Sequence, residues 1–235
     1  MKRLLILSGA GVSAESGIKT FRDSDGLWEN YPVEDVACIE AWYRNPSLVL
    51  QFYNERRAQL EHAKPNKAHL IIASLEKHFE VCVVTQNIDN LHERAGSSHV
   101  IHLHGESTKV RPENTPANGK GVIDIGYKAI HLGDTDEHGI QLRPHIVWFG
   151  EEVPMMTQAI EEVEKADIML IIGTSLAVYP AAGLIHYAKP GTKIFLIDPK
   201  PIHVSGIHIT QIQKVATEGM QEFQKLMMDE DFFEK

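Results

Sequence analysis

Short, continuous apolar runs recur along the chain at Leu4 to Leu7, Val81 to Val84, Ile168 to Ile172 and Ile194 to Ile197, and a further strand run, Val100 to Leu103, is interrupted only by His102. Runs of this length, rich in branched side chains and without polar alternation, are the pattern of strands buried on both faces of a parallel sheet. Between them the spacing turns to three and four residues. Ile39, Trp42 and Tyr43, then Leu48, Val49, Phe52, Arg56 and Leu60, predict helices, with Pro46 and Ser47 marking a start. Further helices are expected over residues 66–78 and near 157–165. Strands alternating with helices predict an α/β fold, a Rossmann-like parallel sheet with helices on both faces. Between Glu106 and Arg143 the apolar density falls, while Pro112, Pro116, Gly119, Gly121, Gly133 and Gly139 break the pattern. That segment reads as a loop-rich insertion, with short strands expected around residues 122–125 and 129–132. The division expected is a sheet domain of residues 1–27, 63–105 and 144–235, and a smaller domain with a helical part, 28–62, and a loop and strand part, 106–143.

The ends of the apolar runs carry the chemistry. After Leu7 the chain reads Gly9-Ala10-Gly11-Val12-Ser13-Ala14, a G-x-G-x-x-A turn. Glycines there permit positive φ and close approach, and the next helix offers free N–H groups to a nucleotide pyrophosphate. The same glycines would equally serve a plain tight turn. A dinucleotide-binding dehydrogenase needs a second strand ending in a ribose-binding acid about 20 residues further on. Here the chain runs instead through Thr20-Phe21-Arg22 to Leu27-Trp28 and into helical spacing. The strand of residues 81–84 ends in Gln86-Asn87-Ile88-Asp89, where polar side chains either line a crevice or cap the helix carrying Leu91 and His92. His102 and His104 alternate onto one strand face, with no third histidine or carboxylate at a spacing that supports a metal. Gly173-Thr174-Ser175 follows another strand, and Asp198 a fourth. Tyr53 and Arg56, at i and i+3, project from one helix face and can converge on one anion, or stand as a half-buried tyrosine beside a solvated arginine.

Charge and cysteine content narrow the partners. The formal net charge of −9, with no basic block, disfavours nucleic acid as a direct ligand. No apolar stretch approaches the ~18 residues of a membrane helix, so the expectation is a soluble, cytoplasmic protein that touches no membrane. Cys38 and Cys82 lie far apart in apolar surroundings and read as reduced thiols.

GAGVSAESGI followed by TFR and GLW, TQNID with Leu91-His92, the Leu103-His104-Gly105 triplet and RPHIVWFGE together resemble the sirtuins, the NAD-dependent protein lysine deacylases. The likeness covers nearly the whole chain. It implies that Gly9, Ala10, Gly11, Ser13, Phe21, Arg22 and Trp28 surround NAD, with Phe21 and Arg22 in a loop that closes over the nicotinamide ribose. Gln86 would lie near the ribose hydroxyls, Asn87 would place ribose and water, and Ile88 and Asp89 would hold the nicotinamide amide. Gly173, Thr174, Ser175, Asp198 and Ala216 would complete the cofactor site, the last beside the adenine. His104 would be the general base, since an imidazole of pKa about 6.5 takes a proton at neutral pH. The run containing Val147, Phe149, Gly150 and Glu151 would pair with an extended acyl-lysine peptide. PSLVLQFYNERR resembles the branch that removes malonyl, succinyl and glutaryl groups, where Tyr53 and Arg56 would receive the acyl carboxylate. The paired zinc cysteines of many sirtuins are missing, and His131, His138 and His145 are too scattered to replace them. The expectation is therefore a zinc-free monomer that consumes NAD and acts on acyl-lysine proteins or peptides. Transfer of ADP-ribose to protein or water, and a noncatalytic NAD or ADP-ribose sensor, are the alternatives.

Overall fold

The structure, a computed structural model, describes residues 1–19, 27–28 and 31–229. In chain order it comprises β1 (Arg3–Ser8), a small hairpin of β2 (Leu27–Trp28) and β3 (Tyr31–Pro32), and helices α1 (Val33–Val36), α2 (Ile39–Arg44), α3 (Pro46–His62) and α4 (Lys67–Ser74). Then come β4 (Glu80–Thr85), α5 (Leu91–Ala95), β5 (Val100–His102), β6 (Gly105–Pro112), β7 (Ile123–Asp124) and β8 (Leu142–Ile146). The chain continues with α6 (Met156–Lys165), β9 (Ile168–Ile172), β10 (Lys193–Ile197), β11 (Thr210–Ile212) and α7 (Ala216–Met227).

The main sheet has the order β11-β10-β9-β1-β4-β5, and every pairing in it is parallel. Successive side chains of each strand point to opposite faces, so a strand covered on both sides must be apolar throughout. Leu4 and Ile6 enter the core shared with α4 and α7, while Leu5 and Leu7 enter the core shared with α6 and the 3-10 segment Ala181–Tyr187. The strand order reverses between β1 and β9. That places a crevice at their carboxyl ends, the position where open α/β sheets bind ligands.

Helices α1 to α3 and the antiparallel sheet β7-β6-β8 form the smaller unit. Its two parts share one core, in which Trp42, Phe52 and Tyr53 from the helices meet Val110, Leu142, Ile146 and Trp148. Residues 105–112 are a well-formed strand, where the composition predicted loop. The strand expected at 122–125 shortens to β7, and residues 129–132 form none. Ile130 is instead held by Asn54 of α3, whose Nδ2 donates to its carbonyl at 2.8 Å while Oδ1 accepts its N–H at 3.1 Å. Backbone partners supplied by a side chain leave no sequence periodicity, which is why the pattern misled.

Arg57 completes this support. It is fully buried and donates to the carbonyls of Lys128 (3.0 Å) and Ser107 (3.2 Å) and to Asn54 Oδ1. Burial lowers its pKa to about 10, which still leaves it a cation at neutral pH. Arg57→Met removes the donors and strands two carbonyls in the interior. We expect it to lower the unfolding free energy by about 3 kcal/mol in urea titrations, and an unchanged midpoint would contradict this role.

Candidate active site

The two glycine loops meet at the switch point. Gly9 N–H donates to Ile172 O (3.0 Å) and Gly11 N–H to Gly173 O (2.8 Å), which locks the turn after β1 against the turn after β9. A Cβ on Gly11 would lie 2.7 Å from Gly173 Cα, and one on Gly173 would lie 2.3 Å from Val12 N. The expected reason for the glycines is therefore corrected in part. Gly9 has extended backbone, φ −128°, and only Gly173 of the three adopts positive φ, +64°. What excludes a side chain at 9 and 11 is the approach of the partner loop. The expected α-helix is likewise replaced by two 3-10 turns, Ala10–Val12 and Ala14–Ser16. Asn66, the N-cap of α4, ties both down by donating to Val12 O (2.8 Å) and Ser16 Oγ (3.1 Å).

Ser13 is fully buried and gathers the next layer. Its hydroxyl donates to Asp89 Oδ2 at 3.0 Å and accepts from Asn87 Nδ2 at 3.1 Å. His69 Nε2 lies 3.5 Å away. Because His69 Nδ1 accepts the Asn66 N–H (3.3 Å), its proton sits on Nε2, facing Ser13. With donors on its other sides, Ser13 directs its own hydrogen at Asp89. Burial raises the Asp89 pKa, opposed by the Leu91 N–H and the Ser13 hydroxyl. Beneath it Ser8 Oγ donates to Thr85 Oγ1 (2.8 Å) and meets His92 Nε2 at 3.0 Å, while the other ring nitrogen of His92, Nδ1, is buried without a hydrogen-bond partner. His92 packs edge-on to His69 with ring centroids 4.9 Å apart.

Gln86 extends from β4 toward the other loop, its Nε2 donating to Thr174 Oγ1 at 3.1 Å. Its carbonyl accepts from His104 Nδ1 at 3.0 Å. A carbonyl only accepts, so Nδ1 holds the proton and Nε2 presents a lone pair, while burial keeps the His104 pKa below its ordinary value. The imidazole is thus neutral and basic at neutral pH. Asp198, buried at the end of β10, accepts the Lys200 N–H at 3.0 Å. Leu176, just past Ser175, is a non-glycine residue at positive φ, +54°, the kind of local strain that collects at functional loops.

The fold therefore brings Gly9, Ala10, Gly11, Ser13, Gln86, Asn87, Ile88, Asp89, His104, Gly173, Thr174, Ser175 and Asp198 to one edge of the sheet. Phe21 and Arg22 lie outside the described residues. Four expectations shift. The Trp28 ring packs edge-on against Phe52 and Tyr53, at 5.0 and 6.3 Å, within the smaller core. Ala216 opens α7 with its methyl in the main core, and Glu15 caps that helix by accepting the Thr217 N–H at 2.9 Å. Glu151 does not face a substrate groove. Its carboxylate takes both Arg143 nitrogens at 2.8 Å, Arg111 at 3.3 Å and the Trp148 N–H at 2.9 Å. The Val147 to Gly150 run is partly paired within the chain, with Val147 N–H to His104 O (3.0 Å) and Phe149 N–H to Ala37 O (2.9 Å).

Tyr53 and Arg56 share α3, yet their polar ends have different surroundings. The Tyr53 hydroxyl accepts the Trp148 indole N–H at 2.9 Å, and burial lifts its pKa far above the ordinary phenol value. The Arg56 guanidinium stands over the Phe52 ring, 5.2 Å from its centroid. The chain pattern did not mark Arg57, Arg111 or His69 as functional; of the three, only His69 stands in an apolar stretch, between Ala68 and Leu70, where a polar residue is a visible signal. Among the described residues, two groups bring three metal-capable side chains together, Cys82 with His99 and Glu162, and Glu93 with His102 and Glu106. The second supplies His102 with carboxylates that local spacing had not revealed.

Residues 9–180 match the Sir2 family, and the chain belongs to that family. It is similar to the NAD-dependent protein deacylase of Bacteroides thetaiotaomicron, with 54% identity over 233 residues covering 97% of this chain and 99% of that one. The NAD-dependent protein deacylase of Helicobacter pylori is 50% identical over 228 residues, 97% of this chain and 96% of its own. A solved Sir2 homologue in complex with NAD superposes with a TM-score of 0.85 at 40% identity, over 95% of this chain and 88% of that chain.

The buried neutral histidines make a prediction. His69 has its pKa lowered to about 4 by burial, so the unfolded chain binds the proton first. The stability from keeping it neutral is complete above about pH 6.5 and is lost as pH falls toward 4, roughly 3 kcal/mol. His69→Gln should flatten the acid limb of stability against pH. Superimposable slopes in the two proteins would refute the assignment.

Proposed function

We propose that the chain is an NAD-dependent protein lysine deacylase that removes acyl groups, with a preference for malonyl, succinyl and glutaryl chains over acetyl. The observation that carries the reaction is His104, a neutral imidazole whose Nδ1 is committed to Gln86 O and whose Nε2 is left as a base. The glycine loops at the switch point and the buried Ser13, Asn87 and Asp89 fit a dinucleotide, because they offer close backbone approach and fixed polar groups at one crevice. NAD is consumed as a substrate. The acyl-lysine amide oxygen displaces nicotinamide from the ribose, His104 accepts the proton of a neighbouring ribose hydroxyl, that hydroxyl attacks the acyl carbon, and a water molecule adds to the same carbon as the lysine amine leaves. Free lysine, nicotinamide and O-acyl-ADP-ribose result. Asn87 and Asp89, held by Ser13, position the reacting end.

The acidic-acyl preference rests on Tyr53 and Arg56. Accepting from Trp148 leaves the Tyr53 hydroxyl hydrogen for donation, and Arg56 adds a planar cation beside aromatic rings. The smaller unit dispenses with zinc on this reading, supported by the Arg57 bonds and by Glu151 between Arg111 and Arg143.

Two measurements test the reading. His104→Ala should fold and bind NAD but lose deacylation by at least about a hundredfold. Near-normal turnover would overturn the base assignment, and ADP-ribosylated protein as the main product would favour a transferase. Across acetyl-, malonyl-, succinyl- and glutaryl-lysine peptides of one sequence, Arg56→Met should lower kcat/KM for succinyl-lysine by about tenfold to a hundredfold, as for a lost charge-assisted bond. Acetyl-lysine should change little. Equal losses on all peptides would remove the acidic-acyl preference and leave a general deacylase.

A further inference from the structure

His102 and His104 are alternate residues at the end of β5, and both rings reach back to consecutive carbonyls of the loop after β4. His104 Nδ1 meets Gln86 O at 3.0 Å, and His102 Nδ1 meets Asn87 O at 2.9 Å. Both carbonyls are acceptors, so both Nδ1 atoms carry protons. His102 differs in its far side, where Nε2 lies 2.7 Å from Glu93 Oε1 on α5. A carboxylate also only accepts, so both ring nitrogens of His102 are protonated, and no lone pair is left for a metal despite the nearness of Glu106. Glu106 is itself bound to Lys109 Nζ at 2.6 Å.

We infer that His102, held as an imidazolium by Glu93, is a positioning residue that fixes the Asn87 peptide and through it the reacting end of the site. Asn87 is otherwise tied by its N–H to Thr85 Oγ1 (3.0 Å) and by its side chain to Ser13 Oγ (3.1 Å). The His102 bond is the third point, and three points set the direction of the Asn87 amide as well as its location. The same peptide segment carries the Gln86 carbonyl that orients His104, so loosening it disturbs placing group and base together. This inference rests on the deacylase reading of the site.

The charges around the pair define its pH window. Burial opposes the His102 charge, but the Glu93 hydrogen bond and charge, with Glu106, hold its pKa above the ordinary value. Burial also opposes the Glu93 charge, and His102 holds that pKa below the ordinary value. Lys109 from β6, Asp89 from the loop, His92 from α5, His145 from β8 and His69 from α4 also feel the charges of the pair. The positioning contact is therefore complete between the two values. It is lost as pH rises through the His102 pKa, because a neutral ring has one proton for two acceptors and the anionic Glu93 carboxylate, the stronger acceptor, keeps it on Nε2, leaving a lone pair against Asn87 O. As pH falls through the Glu93 pKa the ring keeps its Asn87 bond and loses its charged anchor.

The test is kinetic, on the full chain with an acyl-lysine peptide. His102→Leu combined with Glu93→Gln removes the donor without leaving a lone carboxylate, and should lower kcat about tenfold with KM for the peptide unchanged. His102→Asn, whose Nδ2 can take the place of Nδ1, should recover most of kcat and lack the alkaline decline expected of the wild type. A wild-type kcat in the double variant overturns the proposal. So does His102→Asn no better than the double variant, or an alkaline limb that persists in it. If the wild type deacylates and His104→Ala does not, these failures touch His102 alone. A wild type without deacylation overturns the reading of the site and this inference together.

Discussion

The site depends on how closely two backbone turns approach at the centre of the sheet. Gly11 N–H to Gly173 O at 2.8 Å, with Gly9 N–H to Ile172 O beside it, is possible only where positions 9, 11 and 173 carry no Cβ. Parallel pairing brings every strand to the same edge with its carboxyl end, so the reversal of order between β1 and β9 opens a crevice there and nowhere else in the sheet. The glycine contact closes the floor of that crevice. A side chain at any of these positions would force the turns apart and displace Ser13, on which the polar layer converges.

That polar layer is stable because its hydrogen-bond directions are consistent. Each group has one role left once its neighbours are assigned: Asn66 fixes the His69 tautomer, His69 and Asn87 leave Ser13 to donate to Asp89, and Asp89 also takes the Leu91 N–H. A buried network with all its directions agreed is stronger than its separate pairs, whereas a half-satisfied one costs more than apolar packing. Neutral histidines suit this role, since each supplies one donor and one acceptor without a charge to desolvate.

Much of the architecture was legible in the order of residues, and the reasons divide cleanly. The runs at 4–7, 81–84, 168–172 and 194–197 announce β1, β4, β9 and β10 because strands buried on both faces must be apolar at every position. The polar residues at their ends are conspicuous against that background, so Gln86 to Asp89, His104 and Asp198 stood out. Residues whose role lies in a distant partner did not. Arg57 bonds to carbonyls 50 and 71 positions away, and Glu93 meets His102 only because α5 folds back over β5. Glu151 was expected at the substrate because RPHIVWFGE resembles the peptide-pairing run of the family, while its charge turns inward to Arg111 and Arg143.

His104 stands where the two parts of the molecule join, and this gives the smaller unit a hold on the chemistry. Its carbonyl accepts the Val147 N–H at 3.0 Å, immediately before the Trp148 that bonds Tyr53. One residue further on, Gly105 has φ +79° and begins β6, and a Cβ there would lie 2.0 Å from His145 O. Ser107 N–H then reaches back to Ile88 O at 2.8 Å, and Arg57 holds the Ser107 carbonyl. The base, the loop that carries Asn87 and Asp89, and the aromatic wall around Tyr53 are therefore linked by short backbone bonds rather than by flexible side chains. A rigid link of this kind fixes the distance between the aromatic wall around Tyr53 and His104, which the proposed deacylase reading requires if a bound amide is to be positioned against a reacting ribose.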